Sequence, residues 1–429
     1  MEPHPIQVVV TDDLERSRLT VFFRLLLAIP HLLWYFIWSI GAFFAAIVNW
    51  FLTLIKGRSP DSLHDFFASY VRYTTHLFAY LSLAANPWPG FLGTPGSYPI
   101  DVEIAPPARQ NRWKTGFRVL LALPALALAS VFAGTPGLGG GGGGNRADEP
   151  EWVNFSAGGL IFVIAFLGWF VCLIRARMPN GFRDLQAYAL RYNAQALGYA
   201  LLLTDRYPNS DPSSPPATRP VERPAVQIRV EDDLRRSRVT VFFRFLLFLP
   251  HLVWLLLWSI AVLFVVIASW VVALVIGRVP AGFHRFNSAF LRYYTHVVAY
   301  LFLVANPFPG FTGAPGVYPV EVEIDPPQPQ PRWKTLLRFF LAIPAFLVSS
   351  GLGSAVVLAG IFGWFVGLIT GRMPEGLRNL GAFAIRYEMQ AYAYLYLLTD
   401  RYPYSGPWEW APPPEAEPEP GPEPEAAAA

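Results

Sequence analysis

The sequence predicts a mainly α-helical, polytopic membrane protein. About eight transmembrane helices are expected as four hairpins, with interfacial amphipathic helices and short cytoplasmic β-strands. Three observations predict this. The chain repeats itself: Arg24, Pro30, Pro60 and Arg72 recur as Arg244, Pro250, Pro280 and Arg292, each displaced by 220 residues. Each half repeats again, so that four quarters each carry a long apolar run. The composition is 53% hydrophobic and 15% charged, against about 25% charged in a soluble domain.

The first quarter, residues 1–97, opens with Val8-Val9-Val10 and the acidic turn Asp12-Asp13, which read as a short strand outside the membrane. Arg16 and Arg18 mark the membrane edge, and the apolar run from Leu19 to Ile55 follows. As one helix that run would be roughly 55 Å long, against a hydrocarbon core of ~30 Å. Two short helices joined by a tight turn fit better. The turn is expected at Ser39-Ile40-Gly41 here, at Ser259-Ile260-Ala261 in the third quarter and at Ser349–Ser354 in the fourth. For the first and third quarters a single long kinked helix is the alternative.

The second quarter, residues 98–208, supports the fold-back. Arg118 to Pro179 spans 61 residues where Arg24 to Pro60 spans 36. The extra length is a glycine-rich, charged insertion at 134–155, which belongs in water. A Pro- and Ser-rich linker occupies 209–224, the third quarter runs over 225–316 and the fourth over 317–406. An acidic Pro/Glu/Ala tail at 407–429 reads as disordered.

After each apolar run a proline (Pro60, Pro179, Pro280 or Pro374) starts a second helix, with an arginine 12 residues later. In the first quarter Asp65, Ser69, Arg72 and His76 form a narrow polar stripe, which predicts an interfacial helix. Four short strands on the cytoplasmic side are expected to pair into a small sheet. The basic residues at the ends of the runs, Arg16, Arg18, Arg24, Lys56 and Arg58, assign that side to the cytoplasm. The protein is therefore expected in the cell inner (plasma) membrane, with both termini cytoplasmic.

A strand Tyr98-Pro99-Ile100-Asp101-Val102-Glu103 precedes Arg118 and Pro124. Arg177-Met178-Pro179-Asn180-Gly181-Phe182, Arg191-Tyr192 and Thr204-Asp205-Arg206-Tyr207-Pro208 then follow. This constellation resembles the bacterial membrane family known as domain of unknown function 4389. The fourth quarter resembles it equally through Arg338, Pro344, Arg386-Tyr387 and Thr399-Asp400-Arg401-Tyr402-Pro403, and the first and third look like diverged copies. The resemblance implies the architecture and brings no activity.

Two sets of arginines are the candidate lipid- or partner-binding residues. Arg24, Arg118, Arg244 and Arg338 sit about one turn into each apolar run, as snorkelling anchors or as cationic sites for anionic headgroups. Arg72, Arg191, Arg292 and Arg386 each precede a tyrosine, as an interfacial belt, a salt bridge to Asp65 or Asp184, or a phosphate grip. Trp113-Lys114 and Trp333-Lys334 read as interface anchors. His31 and His251 read as neutral, hydrogen-bonded side chains, and Cys172 as an apolar filler with no disulfide partner.

No phosphate loop, nucleophile elbow, metal-binding cluster or paired carboxylates stand out, so no enzyme, metal or cofactor is expected. Nor is a nucleic-acid partner. The expected partners are the bilayer, anionic lipids and other membrane proteins. The function read from the sequence is a non-catalytic scaffold or accessory protein, with a transporter or channel along the pseudo-two-fold axis as the alternative.

Overall fold

A computed structural model of the protein describes residues 4–134, 159–213 and 226–407. The first half contains β1 (Ile6–Val10), α1 (Arg18–Lys56), α2 (Asp61–Leu81), β2 (Ile100–Ile104), α3 (Arg112–Gly116), α4 (Arg118–Ala133), α5 (Gly159–Arg175) and α6 (Asn180–Ala200). The second contains β3 (Val226–Val230), α7 (Arg238–Phe242), α8 (Arg244–Ile276), α9 (Ala281–Leu301), β4 (Val320–Ile324), α10 (Arg332–Thr370) and α11 (Glu375–Leu395). The protein is mainly helical, and α1, α8 and α10 are each long and apolar enough to cross a membrane.

Eight hairpin spans are not what the apolar runs form. α1 and α10 are single helices of 39 residues and α8 is one of 33, passing unbroken through the expected turns. The inference that both ends of each run share one side falls with the fold-back. The misread signals have other uses. Ser39 donates to Tyr35 O at 2.6 Å and Ser259 to Leu256 O at 2.8 Å, so these hydroxyls are satisfied within the helix. Gly351 is a packing glycine: a Cβ there would lie 2.9 Å from Leu160 Cδ1, so a larger residue would make that leucine side chain move at the contact between the halves.

The second quarter is one such helix interrupted. Trp169 of α5 donates to Val21 O at 3.1 Å, as Trp364 near the C-terminal end of α10 donates to Val241 O at 2.9 Å. Arg118 of α4 and Arg338 near the N-terminal end of α10 also have matching partners. Gly159 at the start of α5 lies against Gly134 at the end of α4. A folded-back pair could not hold both ends in register with a single straight-through helix. The Gly-rich insertion and the acidic tail lie outside the described residues.

The strands form two separate antiparallel ribbons, β1 with β2 (Ile6↔Ile104) and β3 with β4 (Val226↔Ile324), instead of one four-stranded sheet. The reason is local. Gln195 of α6 donates to Ile6 O at 2.9 Å, and Gln390 of α11 to Val226 O at 3.0 Å, so a helix covers the edge a further strand would use.

The 21-residue helices α2, α6, α9 and α11, expected at the membrane interface, are packed largely inside the protein. They form the interior, and the polar stripe of α2 runs from exposed Asp65 to buried His76. The halves meet where α10 crosses α4 and α5, with Leu160, Ile161 and Ile164 packed in one core with Val348, Leu352 and Val356. They also exchange ends. Ser210 lies against Gly376 and Asp211 accepts from Asn379, while Ser405 lies against Gly181 and Tyr404 donates to Asp184. Residues 209–213, read as linker, are thus part of the fold.

Candidate functional site

Each of α2, α6, α9 and α11 ends the same way. The residue after the C-cap is a leucine in the left-handed region (Leu83, Leu202, Leu303 and Leu397), with φ between 62 and 66°. That conformation costs a non-glycine residue about 1–2 kcal/mol. The final carbonyls also need donors that the helix itself does not supply. An arginine from the preceding long helix meets both requirements.

Arg24 is 2% exposed and donates to Tyr80 O (2.5 Å), Ala85 O (2.9 Å) and Asn86 Oδ1 (3.3 Å), with its guanidinium over the Tyr80 ring. Arg244 repeats this with Tyr300 O, Ala305 O and Asn306 Oδ1. Arg118 donates to Thr204 O (3.3 Å), Gln110 Oε1 (2.8 Å) and Asp205 Oδ1 (2.9 Å). Arg338 donates to Tyr394 O (2.9 Å), Thr399 O (2.7 Å), Gln330 Oε1 (2.6 Å) and Asp400 Oδ1 (2.8 Å). The four cations lie inside the protein at the negative ends of helix dipoles, where a positive charge is stabilising.

The quarters differ in how each clamp is completed. In the first and third, a second arginine joins. Arg16 donates to Leu83 O and Ala84 O and pairs with Asp12 at 2.8 Å; Arg236 donates to Leu303 O and pairs with Asp232 at 2.7 Å. In the second and fourth, Gln110 and Gln330 donate to Leu202 O and Leu397 O, and an aspartate supplies the counter-charge. Sequence reasoning missed Asp12, Asp205, Asp232 and Asp400 as partners. The signal was present in the repeated Thr-Asp-Arg-Tyr-Pro, whose aspartate appears only where the second arginine is lacking. Lys114 and Lys334 reach the same aspartates, at 3.6 and 2.7 Å.

The second arginine set is not one site. Arg72 donates to Val102 O at 2.9 Å and lies away from Asp65. Arg292 pairs with Glu321 at 2.8 Å. Arg191 and Arg386, both buried, donate to Asp211 O and Gly406 O, the carbonyls of the exchanged ends. Asp184 pairs instead with Arg183, at 2.6 Å.

His31 and His251 each hydrogen-bond a tyrosine, Tyr73 and Tyr293, and stack on Phe91 and Phe311. His76 hydrogen-bonds Asp101 at 2.7 Å. Burial pushes the Asp101 carboxyl up, but hydrogen bonds from His76 and from the Gly96 and Val102 amides outweigh it and hold it below its ordinary value. In the third quarter the longer Glu321 turns to Arg292, and the Nε2 of buried His296 has no partner. Burial, with Arg292 nearby, pushes His296 down to about 4. Among the described residues, no group of three or more His, Cys, Asp or Glu side chains could hold a metal.

The fold and site define a class: a mainly helical protein of four related quarters, each built on a long apolar helix whose internal arginine locks the end of a shorter one. The chain belongs to the family described as Domain of unknown function (DUF4389), whose model matches residues 18–92, 153–210, 238–312 and 332–406. No curated protein and no solved structure matches it.

Proposed function

We propose that the protein is an integral membrane protein of non-catalytic role, a scaffold or accessory protein that engages partners or anionic lipids at the cytoplasmic face. The observation that carries this reading is that the long helices are built inside-out. On α1, Leu25, Leu33, Phe36, Phe44 and Ile55 are each more than 60% exposed, while Arg24, His31, Asn49 and Thr53 are buried. α8 exposes Leu256, Phe264 and Val275 and buries Arg244, His251 and Ser269. A water-soluble surface rarely carries contiguous apolar patches beyond a few hundred Å², whereas hydrocarbon favours this arrangement.

With the four early arginines internal, headgroup contact passes to other basic residues. Arg58, Arg177, Arg278 and Arg372 are exposed just beyond the ends of α1, α5, α8 and α10. Basic residues so placed attract anionic lipids. A transporter path along the pseudo-two-fold axis gains no support, because Leu160 and Leu352 fill the contact between the halves. The test is alkaline carbonate extraction followed by membrane flotation. The chain is expected to stay with the lipid; full release into the supernatant would sink the reading.

A further inference from the structure

The second half gathers four aromatic rings and a carboxylate at positions where the first half has neither. Glu388, Tyr392 and Tyr396 follow one another at i, i+4 spacing on one face of α11, and the matching residues of α6 are Asn193, Leu197 and Leu201. Tyr294 of α9 and Phe346 of α10 complete the group, in place of Thr74 and Leu126. Tyr392 is the hub: its ring centroid lies 5.8 Å from that of Tyr294, 5.2 Å from Phe346 and 5.7 Å from Tyr396. The Tyr294 hydroxyl donates to Glu388 Oε1 at 3.0 Å. All five side chains are half-buried.

The carboxylate has no counter-charge. Among the described residues, no basic side chain comes within 4 Å of Glu388. Arg386, two positions earlier, donates to Gly406 O, and Arg292, two positions before Tyr294, pairs with Glu321. An acid set among aromatic rings is costly to leave in that state. Tyr396 carries the group to a groove. With Leu395 it forms one side of a cavity of about 480 Å³, walled also by Trp270 of α8 and Phe339 of α10. Leu263 and Ile267 line the same cavity and are themselves exposed, so it opens on the outer face of α8. Its size is that of an ordinary ligand site.

We infer that the groove and the ring cluster beside it form a binding site for a lipophilic organic cation, its apolar body along the groove and its charge toward the tyrosine faces and Glu388. Tyrosine faces attract a cation, and the carboxylate supplies the opposite charge. A neutral apolar molecule would leave Glu388 as it is, and an anion would be repelled by it.

The experiment uses the full chain in neutral detergent. Thermal unfolding is followed while tetraphenylphosphonium, or separately tetraphenylborate, the anion of the same shape, is titrated in. A ligand that binds only the folded state stabilises it by an amount set by its affinity. Glu388→Gln keeps an oxygen to accept from Tyr294 and removes the charge. Tyr392→Leu gives α11 the residue that α6 already carries at that place. Stronger stabilisation of the wild type by the phosphonium than by the borate, with apparent affinity for the phosphonium at least tenfold weaker in Glu388→Gln and at least threefold weaker in Tyr392→Leu, supports the site. No stabilisation by the phosphonium, equal affinity in wild type and Glu388→Gln, or equal stabilisation by the borate overturns it. Carbonate extraction does not depend on Glu388, so failure here leaves the membrane reading standing.

Discussion

The two halves share one architecture but not one electrostatic state. Asp184 neutralises Arg183 at the start of α6, whereas among the described residues no carboxylate comes within 4 Å of Arg378 at the start of α11. Asp101 reaches His76, whereas Glu321 turns away from His296. Phe67 is a fully buried core side chain in α2; its counterpart in α9, Asn287, is equally buried with both amide atoms unpartnered. Each substitution in the second half gives up an internal satisfaction that the first half keeps. Common packing and the common clamps hold the fold, so one copy can carry groups that a lone domain would have to satisfy.

The clamps allow the largest break of that comparison. Arg338→Met leaves Gln330 Oε1 and two buried carbonyls without that donor and leaves Asp400 to Lys334 alone, and is expected to cost about 2–3 kcal/mol. Arg244→Met strands only neutral acceptors beside Arg236, which remains, and is expected to cost about 1–2 kcal/mol. Chemical unfolding in detergent checks the order; equal losses would mean that the aspartate adds nothing to the clamp.

A smaller effect separates His296 from His76. With its folded-state value pushed down to about 4, His296 is held neutral in the fold. Its contribution is complete above about pH 6.5 and is lost progressively as pH falls toward 4. Between pH 7 and 4.5 the wild type should lose roughly 2 kcal/mol more than His296→Phe. Parallel acid profiles for the two proteins would contradict this.

The smallest effect is a gain. Leucine has the same heavy-atom skeleton as asparagine and no polar atoms to satisfy. Asn287→Leu should therefore stabilise by about 1–2 kcal/mol. A loss of stability would show that the amide has a partner role.

The sequence made the four quarters, the strands and the arginine positions legible, because repeats and spacing are written along the chain. It misplaced the turns. Gly351 and the serines near the helix midpoints look like breakers in one dimension, but their roles, close approach to Leu160 and bonding within the helix, exist only in three. The clamp was half legible. Arg118 was singled out, but its partner Asp205 lies 87 positions away and meets it only because α6 returns to the start of α4. Snorkelling was a fair reading of an arginine near the end of an apolar run. What it lacked was the left-handed leucine turn that consumes the cation.

The most direct test of the internal clamps is hydrogen exchange on Arg338→Met and Arg24→Met, read together with the anionic lipid that co-purifies. The account predicts at least tenfold faster exchange in the turns after α11 and α2, around Leu397 and Leu83, with the retained lipid unchanged. Unchanged exchange in those turns, with the lipid lost, would contradict it.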